Sequence, residues 1–125
     1  MTQETPTVYT QVGGIETFRR LVDAFYRGVE GDPILRPMYP DDLAESREHL
    51  ALFLAQYFGG PTTYSERRGH PRLRMRHLPF PIDPAARDAW LKHMRAAVDE
   101  VALPEPARGV ILAYFKQVAD FLINR

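Results

Sequence analysis

Apolar side chains recur at steps of three and four residues along most of this chain, and that spacing constrains its fold more than any other feature. The clearest stretch covers residues 15–29. It should end at Gly31-Asp32-Pro33, because proline disfavours helical geometry in the residue before it. Strand signals are weak, since β-branched runs are few and no hairpin dipeptide joins alternating segments. We therefore predict an all-α chain, with three further helices over about 43–58, 83–101 and 106–125.

Two irregular segments interrupt this helical pattern, residues 33–42 (PILRPMYPDD) and residues 59–82. The second has prolines at positions 61, 71, 79 and 81, so it cannot form one long helix. Loops beyond about 12–15 residues are uncommon in compact domains and are often functional. Both segments carry large apolar or aromatic side chains, which suggests that they pack against something.

Length and charge limit the classes of protein that this chain can belong to. With 125 residues it should form one domain over 1–125, with residues 1–8 as a flexible N-terminal extension. The 16 Lys and Arg balance the 16 Asp and Glu, so no global basic field attracts nucleic acid. No apolar run approaches the roughly 20 residues of a membrane helix, and the N terminus lacks export features. Cysteine is absent, so we expect a cytoplasmic protein without disulfides or thiolate-bound metal.

The four histidines do not fall into a known multi-residue site. HExxH is absent, no histidine pair has a spacing of four, and the Glu-x-x-His pattern of two-metal bundles is not repeated. No GxSxG turn or glycine-rich phosphate loop is present. A single-histidine site remains, such as haem bound by one neutral imidazole in an apolar slot.

His77 suits such a haem site, although the same residues allow a simpler reading. Leu73, Leu78 and Phe80 would line the slot, and Arg74 and Arg76 would reach the two propionates. The alternative is that His77 is structural and that the five arginines of residues 67–76 form a solvated face.

Three polar aromatic residues lie where apolar ones would be expected. Tyr26 belongs to the apolar face of the first helix, Tyr39 to the proline-rich link, and Trp90 to the apolar stripe of the third helix. Buried Tyr and Trp must direct O–H and N–H groups at partners. Each could reach a backbone carbonyl, or all three could converge on one cavity and bind a small polar ligand.

Several sequence blocks resemble a known family. They are VGG at 12–14, AFY at 24–26, LRPMYP at 35–40, the long block FLAQYFGGPTTYSERRGHPRLRMRHLPF at 53–80, and DAWLKHM at 88–94. Together they resemble a group II truncated haemoglobin of the actinobacterial type, over nearly the whole chain from Tyr9 to Asn124. This resemblance implies one truncated globin domain, a two-over-two helical sandwich around haem b.

The resemblance also implies a role for individual residues. His77 in RMRH matches the proximal iron ligand, while Tyr26, Tyr39 and Trp90 match the distal hydrogen-bond donors. Arg76, Arg74 and Tyr64 are then expected near the propionates. Further cofactor contacts are expected from Leu73, Phe80, Leu50, Phe53, Ser46, His49 and Met94.

Three positions depart from the usual family pattern. Phe58 stands where the family often has tryptophan, and Ser46 stands where it usually has a smaller residue. His49 stands where the family often has an arginine that can reach a propionate. His49 could replace that arginine weakly, or it could rotate toward the iron.

The implied function is binding of O2 and other diatomic gases at a five-coordinate haem iron. Donors aimed at the negative charge that O2 acquires would slow its release. Slow release makes bulk delivery of O2 a poor role and leaves open the detoxification of nitric oxide or peroxide with an external reductase, or gas sensing. A homodimer is also possible. The competing hypothesis is a cofactor-free helical interaction module with a basic patch, against which the near-zero net charge argues.

Overall fold

The computed structural model describes residues 6–125, and within them it contains helices and no strands. The all-α prediction is confirmed. The helices are α1 Val8–Val12, α2 Ile15–Glu30, α3 Ala44–Tyr57, α4 Thr63–Arg68, α5 Leu73–His77, α6 Pro84–Val101 and α7 Ala107–Phe121, with a 3-10 turn at Arg36–Met38. None of these helices combines the length and the apolar character needed to cross a membrane.

The four long helices form two pairs, α2 with α3 and α6 with α7. The pairs are joined because α2 also packs against α6. The shared core holds Phe18 and Phe25 of α2, Met94 of α6 and Phe115 of α7, each at most 1% exposed. Burying a side chain of this size stabilises the fold by about 1.5–3 kcal/mol. The core therefore lies where all four helices meet.

Local sequence explains where α6 begins and α3 ends. Asp83 has extended backbone geometry, and its carboxylate accepts a hydrogen bond from the Ala86 N–H at 2.8 Å. Pro84 follows in the first turn, where its missing N–H has no cost. After α3 the chain turns at Gly59, whose φ of 100° is a left-handed conformation that glycine adopts without strain.

The chain departs from the predicted helix ends at its C terminus. α7 stops at Phe121, because Asn124 folds back onto the segment that precedes α6. Its N–H donates to the Ile82 carbonyl at 2.9 Å, and its side-chain oxygen accepts from the Ile82 N–H at 2.9 Å. The last residues therefore fasten the end of α7 to the proline-rich segment.

Thr7 and Val8, which the prediction placed in the N-terminal extension, belong to the start of α1. Thr7 caps α1 by accepting a hydrogen bond from the Thr10 N–H, and Val8 is the first residue of that helix. The Tyr9 N–H donates to the Phe58 carbonyl at 2.9 Å, which ties α1 to the end of α3. Residues 1–5 of the predicted extension lie outside the described residues.

Candidate functional site

A cavity of about 380 Å³ opens between the two helix pairs. α2, α3, α6 and α7 contribute walls, and the two irregular segments complete them. The volume lies within the range of small-molecule and cofactor sites, roughly 300–1,000 Å³. Twelve of the fifteen predicted site residues line the cavity: Tyr26, Tyr39, Ser46, His49, Leu50, Phe53, Tyr64, Leu73, Arg76, His77, Phe80 and Trp90.

His77 is the last residue of the short helix α5, and its ring is oriented by a backbone contact. Its Nδ1 lies 2.6 Å from the Leu73 carbonyl oxygen. A carbonyl only accepts, so Nδ1 carries the proton and donates. The lone pair is then on Nε2, the form in which a neutral imidazole binds a metal.

Polar aromatic side chains form another part of the cavity wall. The rings of Tyr26 and Tyr39 meet edge to face with centroids 5.5 Å apart. Trp90 packs between Phe25 and Phe115, with its ring centroid 5.7 and 5.6 Å from theirs. Within residues 6–125, no hydrogen bond of the structure starts from the Tyr39 hydroxyl or the Trp90 indole N–H. Those two donors therefore do not end on backbone carbonyls, which was the simpler explanation of their placement.

Burial keeps both tyrosines neutral. It raises the pKa of Tyr39 to about 12. Burial also raises the pKa of Tyr26 strongly, and the neighbouring Tyr39 adds to that increase. Each hydroxyl therefore retains its proton at physiological pH and remains able to donate a hydrogen bond.

Arg36 holds the link that carries Tyr39. Its guanidinium donates to the carbonyls of Tyr39, Pro40 and Asp41 at 3.0–3.2 Å. Sequence reasoning did not identify Arg36, because its contacts are to backbone atoms of a segment without regular periodicity.

Arginines mark another part of the cavity wall. Nη1 of Arg68 lies 3.0 and 3.1 Å from the two ring nitrogens of His49. Burial, followed by the charge of Arg68, lowers the pKa of His49, so this ring is neutral near pH 7. Nε of Arg68 is buried without a hydrogen-bond partner among the described residues. Arg76 donates from Nε to the Pro71 carbonyl at 2.8 Å, and it lies beside Arg68.

The family is established by comparison with known proteins. The sequence model of the bacterial-like globin family matches residues 7–124, nearly the whole chain. The chain belongs to the bacterial-like globin family. The resemblance to group II truncated haemoglobins is likewise confirmed, and membership supports globin-type binding of haem and O2.

Three relatives show how close this globin is to others. A group 2 truncated hemoglobin of Bacillus subtilis (strain 168) is 43% identical over 112 residues, covering 90% of this chain and 85% of the relative. The solved hemoglobin of Chloroflexus aurantiacus is 62% identical with a TM-score of 0.96, covering 97% of this chain and all of that chain. A thermostable hemoglobin of Thermobifida fusca is 56% identical with a TM-score of 0.93, covering 95% and 98% of the two chains.

Two predicted cofactor contacts of this globin lie elsewhere. Arg74 points away from the cavity, and its guanidinium lies 5.4 Å from the centre of the Phe121 ring. Met94 is fully buried in the core rather than at the cavity wall. The prediction placed Arg74 and Arg76 together at the propionates, whereas the helical geometry of α5 separates them. In a helix, residues 73, 76 and 77 share one face and residue 74 does not.

The same helical geometry corrects the expectation for Leu78. It is 57% exposed and does not line the cavity. Phe80, two residues later, does line it.

The prediction from sequence omitted several residues of the cavity wall. Arg68 could have been found, because it lies one helical turn after Tyr64 on α4 and therefore shares its face. Other missed lining residues come from the link and from the apolar stripe of α7, including Leu35, Met38, Tyr114, Phe115, Val118 and Leu122. That stripe was visible in the sequence, but nothing local distinguishes a helix face that packs on a cavity from one that packs on a core.

The residues present fit haem. The cavity offers the Nε2 atom of His77, mostly apolar walls, and arginines in position to meet acid groups. The buried Nε of Arg68 is a donor that still lacks an acceptor within the described chain, as expected where a ligand supplies one. Among residues 6–125, no cluster of three or more His, Asp or Glu is placed to hold a metal ion.

Proposed function

We propose that this globin binds haem b through Nε2 of His77 and holds O2, or another diatomic gas, with slow release. The hydrogen bond from His77 Nδ1 to the Leu73 carbonyl carries this proposal, because in the neutral ring it leaves the lone pair on Nε2 at an apolar cavity. Haem, when bound, supplies an iron that binds diatomic gases reversibly.

The chain's own residues would set how long the gas stays. Tyr26, Tyr39 and Trp90 present neutral O–H and N–H groups in a largely apolar cavity, where hydrogen bonds to a partly negative ligand are strong. Each neutral bond contributes about 1 kcal/mol, or a factor of about 5 in the rate of release. Two or three such bonds predict slow dissociation of O2.

Arg68 and Arg76 would hold the acidic side of the cofactor. Both line the cavity, and Arg68 has a buried donor without an acceptor in the described chain. Tyr64 lies on the same face of α4 as Arg68. In this proposal His49 supports Arg68 and does not approach the iron, because the guanidinium only donates and therefore engages the single lone pair of the neutral ring.

Slow release favours chemistry on the ligand over bulk delivery. We therefore infer a role in nitric oxide or peroxide detoxification, in the cytoplasm and with an external electron donor. The polar donors of Tyr26, Tyr39 and Trp90 at the cavity wall support this role, because they would retain the ligand. Rapid release of O2 in stopped-flow measurements would contradict it.

Haem binding is tested by adding haemin to the purified haem-free protein and recording the Soret band. The wild type should bind one equivalent, and His77→Ala should lose tight binding. His70→Ala is the matched control, because His70 is an exposed histidine that does not line the cavity. No Soret band in the wild type would overturn the proposal in favour of a cofactor-free module. Equal binding by His77→Ala would overturn the assigned ligand.

A further inference from the structure

Exposed apolar side chains gather beside the helix that ends in His77. Two contacts bring the end of α7 to this segment. Arg74 lies over the Phe121 ring at 5.4 Å, and Asn124 Nδ2 donates to the carbonyls of His77 and Phe80 at 3.3 and 2.9 Å. The proximal patch, as we call it, consists of Met75 (54% exposed), Leu78 (57%), Phe80 (37%) and Phe121 (53%).

The proximal patch is a different surface from the wall of the haem cavity. Met75, Leu78 and Phe121 do not line the cavity. A cofactor within the cavity therefore leaves these three side chains exposed. Phe80 does line it, so the patch borders the cavity edge. Contiguous exposed apolar groups of this kind, rimmed by charge, mark interaction sites more often than ordinary surface does.

The segment that carries most of the patch is rich in arginine. Arg72 and Arg74 are exposed on the patch segment itself, and Arg67 is exposed on neighbouring α4. Residues 66–77 contain five arginines and one acidic residue, Glu66, whereas the whole chain has equal numbers of both signs. Arg67 also lies 3.9 Å from Glu48, a long contact at a side chain that is 63% exposed. An apolar centre with a positive rim complements an acidic partner surface with an apolar centre.

We propose that the proximal patch docks an acidic electron-donor protein that reduces this globin. The proposal rests on the proposed haem function and names the partner of that site. Met75 of the patch and His77 lie on the same five-residue helix, so a protein seated here contacts the element that carries the iron ligand. One electron would leave the reduced flavin of the donor and convert ferric haem iron to ferrous iron, and no bond to the partner forms or breaks.

Two other occupants fit the patch less well. A second copy of this chain would bring the same arginines face to face, which is unfavourable for like charges. An anionic membrane is usually bound by a longer amphipathic helix with a continuous apolar face. Here the apolar groups come from a five-residue helix, the turn after it and the last residue of α7. An acidic protein matches both the charge and the small size of the patch.

Binding of a flavodoxin, a small acidic flavoprotein, tests the proposal. The dissociation constant is measured by calorimetry with the haem-loaded globin at about 10 mM ionic strength, where surface charges are weakly screened. The double substitution Arg72→Glu with Arg74→Glu should weaken binding about tenfold or more. Lys92→Glu with Arg95→Glu is the matched control, because it reverses the same number of exposed charges on α6, and it should change binding by less than about twofold.

A neutral substitution separates apolar contact from charge. Met75→Ser should weaken flavodoxin binding about threefold or more without altering the Soret band, because this side chain is exposed and outside the cavity. Far-ultraviolet circular dichroism confirms that each variant is folded. Unchanged binding by Met75→Ser would overturn the apolar part of the proposal.

Other outcomes would overturn the docking proposal altogether. Two concern flavodoxin itself: equal weakening by both double substitutions, or no binding at low salt. Two indicate another occupant: a dimer in light scattering that Arg72→Glu with Arg74→Glu dissociates, or binding to phosphatidylserine vesicles that the same double substitution abolishes. A wild type without a Soret band would instead overturn the haem function. The two failures are therefore distinguishable.

Discussion

A buried pair outside the cavity leads to a quantitative prediction. Nε2 of His93, on α6, donates to the Asp32 carboxylate at 2.6 Å, and the two side chains are only 16% and 11% exposed. The other oxygen of Asp32 accepts from the Ile34 and Leu35 N–H groups at 2.8 and 3.2 Å. The pair therefore fastens the start of the link that carries Tyr39 to the helix that carries Trp90.

Gly28 of α2 makes room for this pair. A Cβ added there would lie 2.4 Å from His93 Nδ1 and 2.8 Å from its Cγ, closer than real atoms approach. The Cγ atom is near the backbone of His93, so the ring cannot swing aside cheaply. Gly28→Ala should therefore displace His93 from Asp32.

The magnitude follows from two opposing effects. Exchanging glycine for alanine inside a helix stabilises by about 1 kcal/mol. Losing a hydrogen bond to a charged group costs about 1.5–3 kcal/mol, and overpacking adds about 1 kcal/mol or more. We expect Gly28→Ala to lower the free energy of unfolding by about 2 kcal/mol in the wild type. In a His93→Ala background the clash is gone, and the same change should raise it by about 1 kcal/mol.

A double-mutant cycle measures this difference. The four proteins are unfolded in guanidinium chloride and followed by circular dichroism, with haem loading matched because a ligand of the folded state raises apparent stability. The expected coupling between Gly28 and His93 is about 3 kcal/mol. A coupling below about 0.5 kcal/mol, or stabilisation of the wild type by Gly28→Ala, would refute the reasoning.

Four further predictions follow from individual contacts. Trp90→Phe should speed O2 dissociation about fivefold in stopped-flow measurements, and an unchanged rate would remove this donor from the proposal. Tyr39 should ionise only near pH 12 in an ultraviolet titration, and Tyr39→Phe should lose that late step. The hydrogen bond from His93 lowers the pKa of Asp32 in the folded protein. The stability that ionised Asp32 contributes is therefore complete above about pH 4, and it is lost as the pH falls through the lowered pKa. Asp32→Asn should therefore destabilise at pH 7 and progressively less in acid, whereas a pH-independent loss would contradict this assignment. Arg76→Ala should speed haem transfer to apomyoglobin while Arg74→Ala should not, because only the first lines the cavity; equal effects would show that Arg74 does contact the cofactor.

The helices could be predicted because their information is local. The three-and-four spacing of apolar residues located α2, α3 and α6 to within about two residues of their observed ends. Asp83 and Pro84 marked the start of α6 for the same reason, since a cap acts on backbone groups within three residues. The end of α7 was less accurate because a distant contact, from Asn124 to Ile82, decides it.

The candidate site was predictable where motifs identified it and uncertain where side-chain direction mattered. His77, Tyr26, Tyr39 and Trp90 were identified by their sequence blocks, and all line one cavity. The arginines were harder, because five of them fall within ten residues and composition treats them alike. Only the helical turns of α4 and α5 determine which arginine reaches the cavity.

By itself, the sequence determined the all-α class and the bounds of most helices, and it singled out His77 as the proposed iron ligand. These depend on the period of apolar residues and on a motif, both of which are readable within a few turns. Only the tertiary structure decided that Arg68 lines the cavity while Arg74 lies over Phe121. It also paired His93 with Asp32 across 61 residues. Such contacts depend on how helices pack in three dimensions, and no local pattern encodes which distant side chain a residue will meet.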